Sequence, residues 1–310
     1  MPLHTVLMDL FADRFQMLRP IGRGGMAEVW AARQIRTGDE VAVKLVRGTA
    51  EDSAVRRLRR EASVIAAISH PGVVDVHGIE HDDGKTAVVM DLLRGQDLAR
   101  MLADGPLPLP RTLTLARGIA DALRAVHRAG VVHRDVKPAN VMVTGEQVTL
   151  IDFGIATEPG HSGGAPSYGT TASMAPEQIR AEQVTPATDM YALGCLIFET
   201  LTGGPMFPVD SPEIALRHHA HGTPPRLGEL VIGAPARLDG LVADLLAKDP
   251  ADRPSAAEVS RALDSLLRAP AVRLQSGPLA PAPEAPSPQL DAAGTQPMLA
   301  AEAVWLEDAA

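Results

Sequence analysis

Four polar residues near the middle of the chain have the types and the spacing that phosphoryl transfer requires. Asp135 can accept a proton from an incoming hydroxyl group, and Lys137 can stabilise charge on a phosphoryl group during transfer. Asn140 and Asp152 offer two oxygen donors, which suit Mg²⁺, a hard ion that also keeps water and phosphate ligands. The sequence therefore predicts a metal-assisted catalytic site built from these side chains.

A glycine-rich segment near the N-terminus predicts a phosphate-binding turn. It contains Ile21, Gly22, Gly24 and Gly25 between two strand-like stretches, and glycines let backbone N–H groups approach phosphate oxygens closely. A strand rather than a helix follows this turn, which argues against a dinucleotide-binding fold. An ordinary tight hairpin is the alternative, because a glycine-rich turn alone is a weak signal.

Lys44 lies on the strand that follows this turn. Alternation along the strand puts Lys44 on the same face as Ala42, beneath the glycine-rich segment. A lysine that points inward needs an anion, and Glu61 on the next predicted helix can supply it. A Lys44–Glu61 pair would hold the ammonium group on the α- and β-phosphates of a nucleotide. Alternatively, Glu61 is a solvated helix charge paired with a neighbouring arginine.

The elements that must position these residues form a small β-rich region followed by a larger helical region. The predicted strands, rich in β-branched residues and bounded by turn signals, are Phe15–Ile21, Ala27–Gln34, Glu40–Val46, Val74–Glu80 and Lys85–Met90. Apolar residues at helical spacing predict helices at Ser53–Ile68, Thr112–Ala129, Asp189–Leu201 and Ala256–Leu267. A predicted strand pair would bring Asn140 and Asp152 to one place; it comprises Val141–Val143 and Val148–Ile151.

Taken in order, the motifs of the chain resemble those of bacterial Hanks-type (eukaryotic-like) serine/threonine protein kinases. The resemblance covers about residues 14–268 and is carried by Gly22-x-Gly24-Gly25-Met26-x-Glu28-Val29, Val41-Ala42-Val43-Lys44, His133-Arg134-Asp135-x-Lys137-x-x-Asn140, Asp152-Phe153-Gly154, Ala175-Pro176-Glu177, Asp189-Met190-Tyr191-Ala192-Leu193-Gly194 and Lys248-Asp249-Pro250-x-x-Arg253-Pro254. It implies an α+β, two-lobed protein-kinase fold. Residues 14–93 would form the N-lobe, a small antiparallel sheet with one main helix that binds nucleotide. Residues 94–268 would form the larger, mainly helical C-lobe for catalysis and substrate binding.

The resemblance assigns a role to each candidate catalytic residue. It implies that Asp135 is the catalytic base and that Asn140 and Asp152 are the Mg²⁺ ligands. Lys44 would hold the α- and β-phosphates of ATP, and Glu61 would hold Lys44. Lys137 stands where serine/threonine kinases keep a lysine, so the implied acceptor is Ser or Thr. The implied cofactors are ATP and Mg²⁺, with Mn²⁺ as a substitute.

The resemblance also implies an adenine pocket and two sets of buried polar contacts in the C-lobe. Val29, Ala42 and Met142 would sandwich adenine, Met90 would lie at the back of the pocket, and Asp91 and Leu93 would give the base backbone hydrogen bonds. Asp189 would accept backbone N–H bonds from the catalytic loop, and Glu177 would pair with Arg253. The residues before Ala175 shape the acceptor groove in relatives, and here Ser173 replaces an aromatic residue that many of them carry.

Composition bounds the remaining possibilities. The chain has 310 residues, of which 45% are hydrophobic and 22% charged, so we expect a globular core. The single cysteine, Cys195, excludes a disulfide framework and a cysteine-rich zinc site, and we expect its thiol to be inert in the core. A net charge of −9 argues against nucleic acid as a partner. No apolar run reaches the roughly 18 residues that would span a bilayer, so we expect no membrane span and a cytoplasmic protein.

The last part of the chain and its partners are predicted from composition and analogy. Residues 269–310 are rich in Ala and Pro, which predicts a disordered tail. The expected partners are proteins phosphorylated on Ser or Thr, phosphothreonine-binding domains recruited to the tail, and a second copy bound through the N-lobe. The three histidines His218, His219 and His221 are interpreted as solvated or capping residues rather than a metal site.

Two other function classes share these features. A pseudokinase scaffold would bind nucleotide without turnover, and a kinase for small molecules such as aminoglycosides would share the two-lobed fold. The intact set of candidate catalytic residues argues against the first. Ala175-Pro176-Glu177 together with Arg253 argues for a protein substrate over the second.

Overall fold

The N-terminal strands form one antiparallel sheet. The computed structural model describes residues 10–23, 27–46, 62–153, 171–208 and 211–269. The strands of its first sheet are β1 (Leu10–Phe11), β2 (Phe15–Arg23), β3 (Ala27–Gln34), β4 (Glu40–Val46), β5 (Val76–Asp82) and β6 (Lys85–Asp91). Within the described ranges their order is β1-β2-β3-β4-β6-β5, and each neighbouring pair is antiparallel.

Strand β5 begins two residues later than the sequence predicts. The N–H of Val74 donates to the carbonyl of Leu150 at 3.1 Å, and Val73 forms a parallel bridge with Leu150. These two valines therefore join the sheet to the C-terminal part of the fold instead of extending β5.

The register of the sheet places the candidate nucleotide-binding residues on one face. Val29 of β3 is opposite Lys44 of β4, and Ala42 is opposite Met90 of β6. Since directly opposed residues and residues two apart along a strand share a face, all four side chains point to the same side. Ala42 and Met90 belong to the main core cluster, whereas the other face forms a separate small cluster that includes Phe15 and Val43.

The C-terminal part is mainly helical, as predicted. Its helices are α1 (Leu98–Leu102), α2 (Leu109–Arg128), α3 (Pro176–Ile179), α4 (Pro186–Thr202), α5 (Pro212–His221), α6 (Leu227–Leu230), α7 (Ala236–Leu245) and α8 (Ala256–Arg268). Helix α4 is buried on nearly all sides, which makes it the centre of this part. Its Gly194 allows close packing, because a methyl group there would lie 2.9 Å from Cβ of Leu245.

A second sheet adjoins the segment that holds the candidate catalytic residues. Its strands are β7 (Gln96–Asp97), β8 (Val141–Thr144) and β9 (Gln147–Leu150), in that order, and the hairpin β8–β9 confirms the predicted strand pair. A 3₁₀ turn, Pro138–Asn140, leads directly into β8. Asn140 therefore lies at the start of the hairpin, and Asp152 lies just beyond its end.

The predicted helix Ser53–Ile68 lies partly outside the described residues. Residues 62–66 are helical, and the buried side chains of Ile65 and Ile68 pack in the main core cluster.

Along the part of the chain that the structure describes, no helix has both the length and the apolar character needed to cross a membrane.

Candidate active site

Asp135 is held by two neighbours of its own loop. Lys137 Nζ lies 2.9 Å from Asp135 Oδ2. The Asn140 amide donates from Nδ2 to the same Oδ2 and to the backbone carbonyl of Asp135, both at 2.8 Å. Both bonds use Nδ2, so neither involves the amide oxygen of Asn140. The tight 3₁₀ turn brings the three residues together, with the N–H of Asn140 donating to the carbonyl of Lys137 at 2.9 Å.

Lys44 and Asp152 connect the two halves of the site. The Lys44 ammonium group donates to Asp152 Oδ1 at 2.8 Å across 108 residues of sequence. Asp152 has a left-handed backbone with φ 54°, a conformation that costs energy in a residue other than glycine. Through the ion pair, the Asp152 carboxylate contacts Lys44, the sheet residue that the sequence predicts for phosphate binding. Glu61, the predicted partner of Lys44, lies outside the described residues.

The loop that carries the candidate base Asp135 is held by hydrogen bonds to Asp189 of α4. Its Oδ2 accepts from the N–H of His133 at 2.9 Å, and its Oδ1 accepts from the N–H of Arg134 at 2.8 Å, which confirms the predicted contact. Asp189 is fully buried and also bonds His127 Nε2 at 2.7 Å. These bonds hold Arg134 in a left-handed conformation, φ 69°, immediately before Asp135.

His133 connects the loop that carries Asp135 to the segment that carries Asp152. Its ring is fully buried, its Nε2 lies 3.1 Å from the carbonyl of Ile151, and it packs against the ring of Phe153 at 4.4 Å between centroids. Burial lowers the pKa of His133, although the charges of Asp189 and Asp135 act in the opposite direction. The imidazole is therefore neutral at neutral pH and serves to position the two segments.

Four of the predicted adenine-pocket residues lie in or against the main core cluster. Ala42 and Met90 are buried, and Val29 and Leu93 pack against their cluster. The other two predicted residues lie elsewhere in the fold: Met142 is in β8 of the second sheet, opposite Asp97, and Asp91 ends β6, with its carboxylate 2.8 Å from His77 Nε2.

The glycine-rich turn is described only at its start. Ile21 and Gly22 belong to β2, where Gly22 is opposite Val29, and the side chain of Ile21 is 40% exposed. Gly24 and Gly25 lie outside the described residues. Their role in binding phosphate stays a prediction.

Glu177 and Arg253 form a buried ion pair, as predicted. Arg253 Nη1 and Nη2 lie 2.7 and 2.9 Å from the two carboxylate oxygens of Glu177, and Thr188 Oγ1 donates to the same carboxylate at 2.7 Å. Burial alone would raise the pKa of Glu177, but the bonds from Arg253 and Thr188 outweigh it and lower that pKa. The pair therefore anchors α3 to the base of the C-terminal part.

By themselves, the described residues of the site provide only part of the coordination that a hard divalent cation needs. Among the described residues, no three His, Cys, Asp or Glu side chains converge on a metal position. Asn140 and Asp152 nevertheless offer an amide oxygen and a carboxylate. Such a pair suits Mg²⁺ when phosphate and water complete the coordination, so the donor set fits a metal that arrives with a nucleotide.

The sequence does not predict the contacts that three histidine side chains make: His127, His133 and His219. His133 and His219 are buried and His127 is partly buried, in each case by residues far away in sequence, and local spacing carries no signal of that burial. The interpretation of His219 as a solvated or capping residue is therefore wrong. His133 stands in the motif that carries the resemblance, but the sequence assigns it no contact.

The prediction that Cys195 lies inert in the core is confirmed, since Cys195 is buried and burial raises the pKa of its thiol.

Comparison with known proteins finds one family and a consistent set of relatives. The family model described as "Protein kinase domain" matches residues 15–262. The serine/threonine-protein kinase PknD of Mycobacterium tuberculosis is 39% identical over 247 residues, which are 77% of this chain and 37% of that protein. The probable serine/threonine-protein kinase SCO3848 of Streptomyces coelicolor is 40% identical over 261 residues, 80% of this chain and 39% of that protein. The chain thus spans less than half the length of these curated relatives.

Solved structures share the fold. The crystal structure of the Mycobacterium tuberculosis PknI kinase domain is 31% identical and superposes with a TM-score of 0.66 over 86% of this chain and 99% of the other. The crystal structure of Rad53 in complex with AMP-PNP is 27% identical, with a TM-score of 0.68 over 80% of this chain and 64% of the other. The predicted α+β, two-lobed fold is confirmed by these likenesses.

Proposed function

The chain belongs to the protein kinase family, as its resemblance to the bacterial Hanks type predicts, and we propose that it transfers the γ-phosphoryl group of ATP to Ser or Thr hydroxyls of proteins, its own chain included. Members of this family use ATP and a divalent cation. The observation that carries the proposal is the arrangement of Asp135, which is held by Lys137 and Asn140 on a loop tied to Asp152.

Asp135 takes the proton of the acceptor hydroxyl. Both side-chain contacts that reach its carboxylate within the described residues, from Lys137 and from Asn140, fall on Oδ2. Oδ1 is therefore the oxygen that faces the acceptor and receives the proton as the hydroxyl oxygen bonds to the γ-phosphorus and the bond from that phosphorus to the β–γ bridging oxygen breaks, which releases ADP. The two bonds on Oδ2 fix the carboxylate in that orientation, which limits the reorganisation needed during transfer.

Lys44, Lys137 and the glycine-rich turn stabilise the phosphates. Lys44 would hold the α- and β-phosphates, and Lys137, already beside Asp135, would offset charge on the phosphoryl group in transfer. The likeness to the Rad53 structure with AMP-PNP supports a nucleotide in this cleft. Adenine would lie between Val29, Ala42 and Met142.

Asn140 and Asp152 would hold the divalent cation. We assign it as Mg²⁺, with Mn²⁺ as a substitute, because the donors are an amide oxygen and a carboxylate. The cation would neutralise charge on the phosphates and align them. Phosphothreonine-binding domains, a homodimer through the N-lobe and the bounds of the lobes stay predictions.

The test separates a protein kinase from its two rivals. The purified chain is incubated with γ-labelled ATP and Mg²⁺, and separately with a degenerate Ser/Thr peptide library and with a panel of sugars and aminoglycosides. We expect label on peptides and on the chain itself, recovered as phosphoserine or phosphothreonine. Label on the small molecules alone would identify a small-molecule kinase, and bound nucleotide without any transfer would identify a pseudokinase.

A further inference from the structure

The backbone carbonyl just before Asp135 is bound by a side chain that belongs to none of the motifs that carry the resemblance. Gln178 Nε2 donates to the carbonyl of Arg134 at 3.0 Å, across 44 residues of sequence. Gln178 lies on the short helix α3, and its Oε1 accepts from the N–H of Ala175 at 3.0 Å. One side chain therefore joins the start of α3 to the loop that carries the candidate base.

We infer that Gln178 is a positioning residue for Asp135, acting through the peptide group between Arg134 and Asp135. The inference deepens the proposed function and rests on it for the role of Asp135 in catalysis. Its structural part, that Gln178 fixes this peptide group, depends on the hydrogen bonds alone. Gln178 acts at one remove, because its side-chain bonds in the described structure go to Ala175 and Arg134.

The two partners of Gln178 allow only one orientation of its amide. The N–H of Ala175 can only donate, and the carbonyl of Arg134 can only accept. A rotation of the amide by half a turn would place two donors together at Ala175 and two oxygens together at Arg134, so the contacts themselves identify Oε1 and Nε2. Loss of the amide would leave both of these partly buried backbone groups short of a partner.

Arg134 needs this support because its backbone is left-handed. Its φ of 69° lies in a region that residues other than glycine keep only when their surroundings hold them there. Asp189 of α4 binds the N–H side of the residue, since its Oδ1 accepts from the N–H of Arg134 at 2.8 Å. Gln178 of α3 binds the carbonyl side. Side chains of two helices therefore hold both backbone polar groups of Arg134.

The peptide group that Gln178 binds sets the direction in which the side chain of Asp135 leaves the backbone. Its oxygen accepts from Gln178, and its N–H, which belongs to Asp135, lies 3.4 Å from His133 Nδ1. Lys137 and Asn140 contact the other end of the side chain, at Oδ2. Loss of the Gln178 bond releases the peptide plane on its oxygen side, and the carboxylate loses part of the orientation that transfer requires.

A helix cap alone is the competing explanation for Gln178. It is the third residue of α3, and its bond to the N–H of Ala175 is one of the two bonds of a capping box. Glutamate serves this position as well as glutamine does, but its carboxylate offers no donor to the carbonyl of Arg134. Gln178→Glu therefore separates the two roles, because it keeps the cap and removes the bond to the loop.

The experiment compares Gln178→Glu and Gln178→Met with the wild-type chain. Methionine has a similar length and removes both bonds without adding a charge. The matched controls are Gln183→Glu and Gln183→Met, because Gln183 is exposed and lies shortly after α3. For each variant we measure single-turnover transfer from γ-labelled ATP to a Ser/Thr peptide selected with the wild-type chain, the KM of ATP, and the midpoint of thermal unfolding.

We expect both Gln178 variants to lower the transfer rate about tenfold, the effect of one lost hydrogen bond behind the base, with the KM of ATP unchanged. Both Gln183 variants should match the wild type. A normal transfer rate in Gln178→Glu would overturn the inference and leave the cap as the role of Gln178. So would a slow Gln178→Glu beside a normal Gln178→Met, which indicates an effect of the added charge. Equal losses of transfer rate and ATP affinity would overturn it too, since they indicate a general loss of structure.

Hydrogen exchange tests the structural part of the inference without catalysis. In both Gln178 variants we expect faster exchange of the amides of Arg134 and Asp135 and unchanged exchange in α4. The amide of Ala175 should exchange faster only in Gln178→Met, because Gln178→Glu keeps its acceptor. Unchanged exchange of Arg134 and Asp135 in both variants would refute the positioning role. If the wild-type chain transfers no phosphate to any peptide, the proposed function fails, and this measurement still decides whether Gln178 fixes the loop.

Discussion

Removal of Arg253 should destabilise the fold far more than removal of an arginine from an exposed ion pair. Arg253 makes two bonds to the Glu177 carboxylate and further bonds to the carbonyls of Ala247, Ala187 and Lys248, at distances of 2.7 to 3.2 Å. In Arg253→Met, these carbonyls and a carboxylate that is 1% exposed lose their donor.

The structure sets the size of this effect. Leaving one partner of a buried pair uncompensated costs about 3–5 kcal/mol, and for a domain of this size that lowers the melting temperature by about 10 °C. Urea and thermal unfolding of Arg253→Met against the wild type measure it. The matched control is Arg268→Met, which removes an exposed i,i+4 pair with Asp264 and should cost less than about 1 kcal/mol.

A double-mutant cycle separates the pair from its surroundings. With Glu177→Gln added to Arg253→Met, no buried charge is left unpaired, so the double variant should lose less than the sum of the single effects, by about 2–3 kcal/mol. Simple additivity of the two substitutions would refute the reasoning. A loss below about 1 kcal/mol for Arg253→Met alone would refute it as well, since that value is typical of exposed pairs.

Three further predictions follow from buried or paired groups. The pKa of His219 is about 4 in the folded chain, against an ordinary value of 6.5. Between about pH 6.5 and pH 4 the unfolded chain gains this proton while the folded chain does not, so urea unfolding should show about 2 kcal/mol less stability from this group at pH 5 than at pH 7. An equal pH dependence in His219→Gln would contradict this. Lys44→Met should change the free energy of unfolding by less than about 1 kcal/mol, because the Lys44–Asp152 pair is partly exposed. The same substitution should raise the KM of ATP. A large loss of stability with normal ATP kinetics would contradict the assignment of Lys44 to phosphate binding. Gly194→Ala should destabilise by about 1–3 kcal/mol in thermal unfolding, since the added methyl group meets Leu245; a stabilised variant would show that helix propensity outweighs packing there.

The sequence predicts most of the strands because they depend on a local alternating pattern. It predicts the buried polar contacts near the site because these depend on motifs. The bounds of β3 and β4 agree with the alternating stretches, and Asp189 and the Glu177–Arg253 pair take the expected contacts. Two features depend on how distant elements pack. Strand β5 starts late because Val74 bonds Leu150, and Lys44 contacts Asp152 through a fold that joins residues far apart in sequence.

His219 shows most clearly what local pattern cannot provide. It stands next to the exposed His218 on α5, and the two are indistinguishable from composition. Only the packing of α5 against Tyr191 and Lys248 decides that one ring is buried in a hydrogen-bonded cluster while the other faces solvent. The roles assigned to Glu61, Gly24 and Gly25 lie outside the described residues and stay predictions.

Single-turnover phosphoryl transfer by Asp135→Asn tests the central claim most directly. Asparagine keeps the size of the side chain and an oxygen that Lys137 and Asn140 can contact, but it cannot take a proton. We therefore expect nucleotide affinity close to the wild-type value and a transfer rate lower by about 10²–10⁴-fold. Transfer of γ-labelled phosphate to a Ser/Thr peptide at a rate near that of the wild-type chain would contradict the assignment of Asp135 as the base.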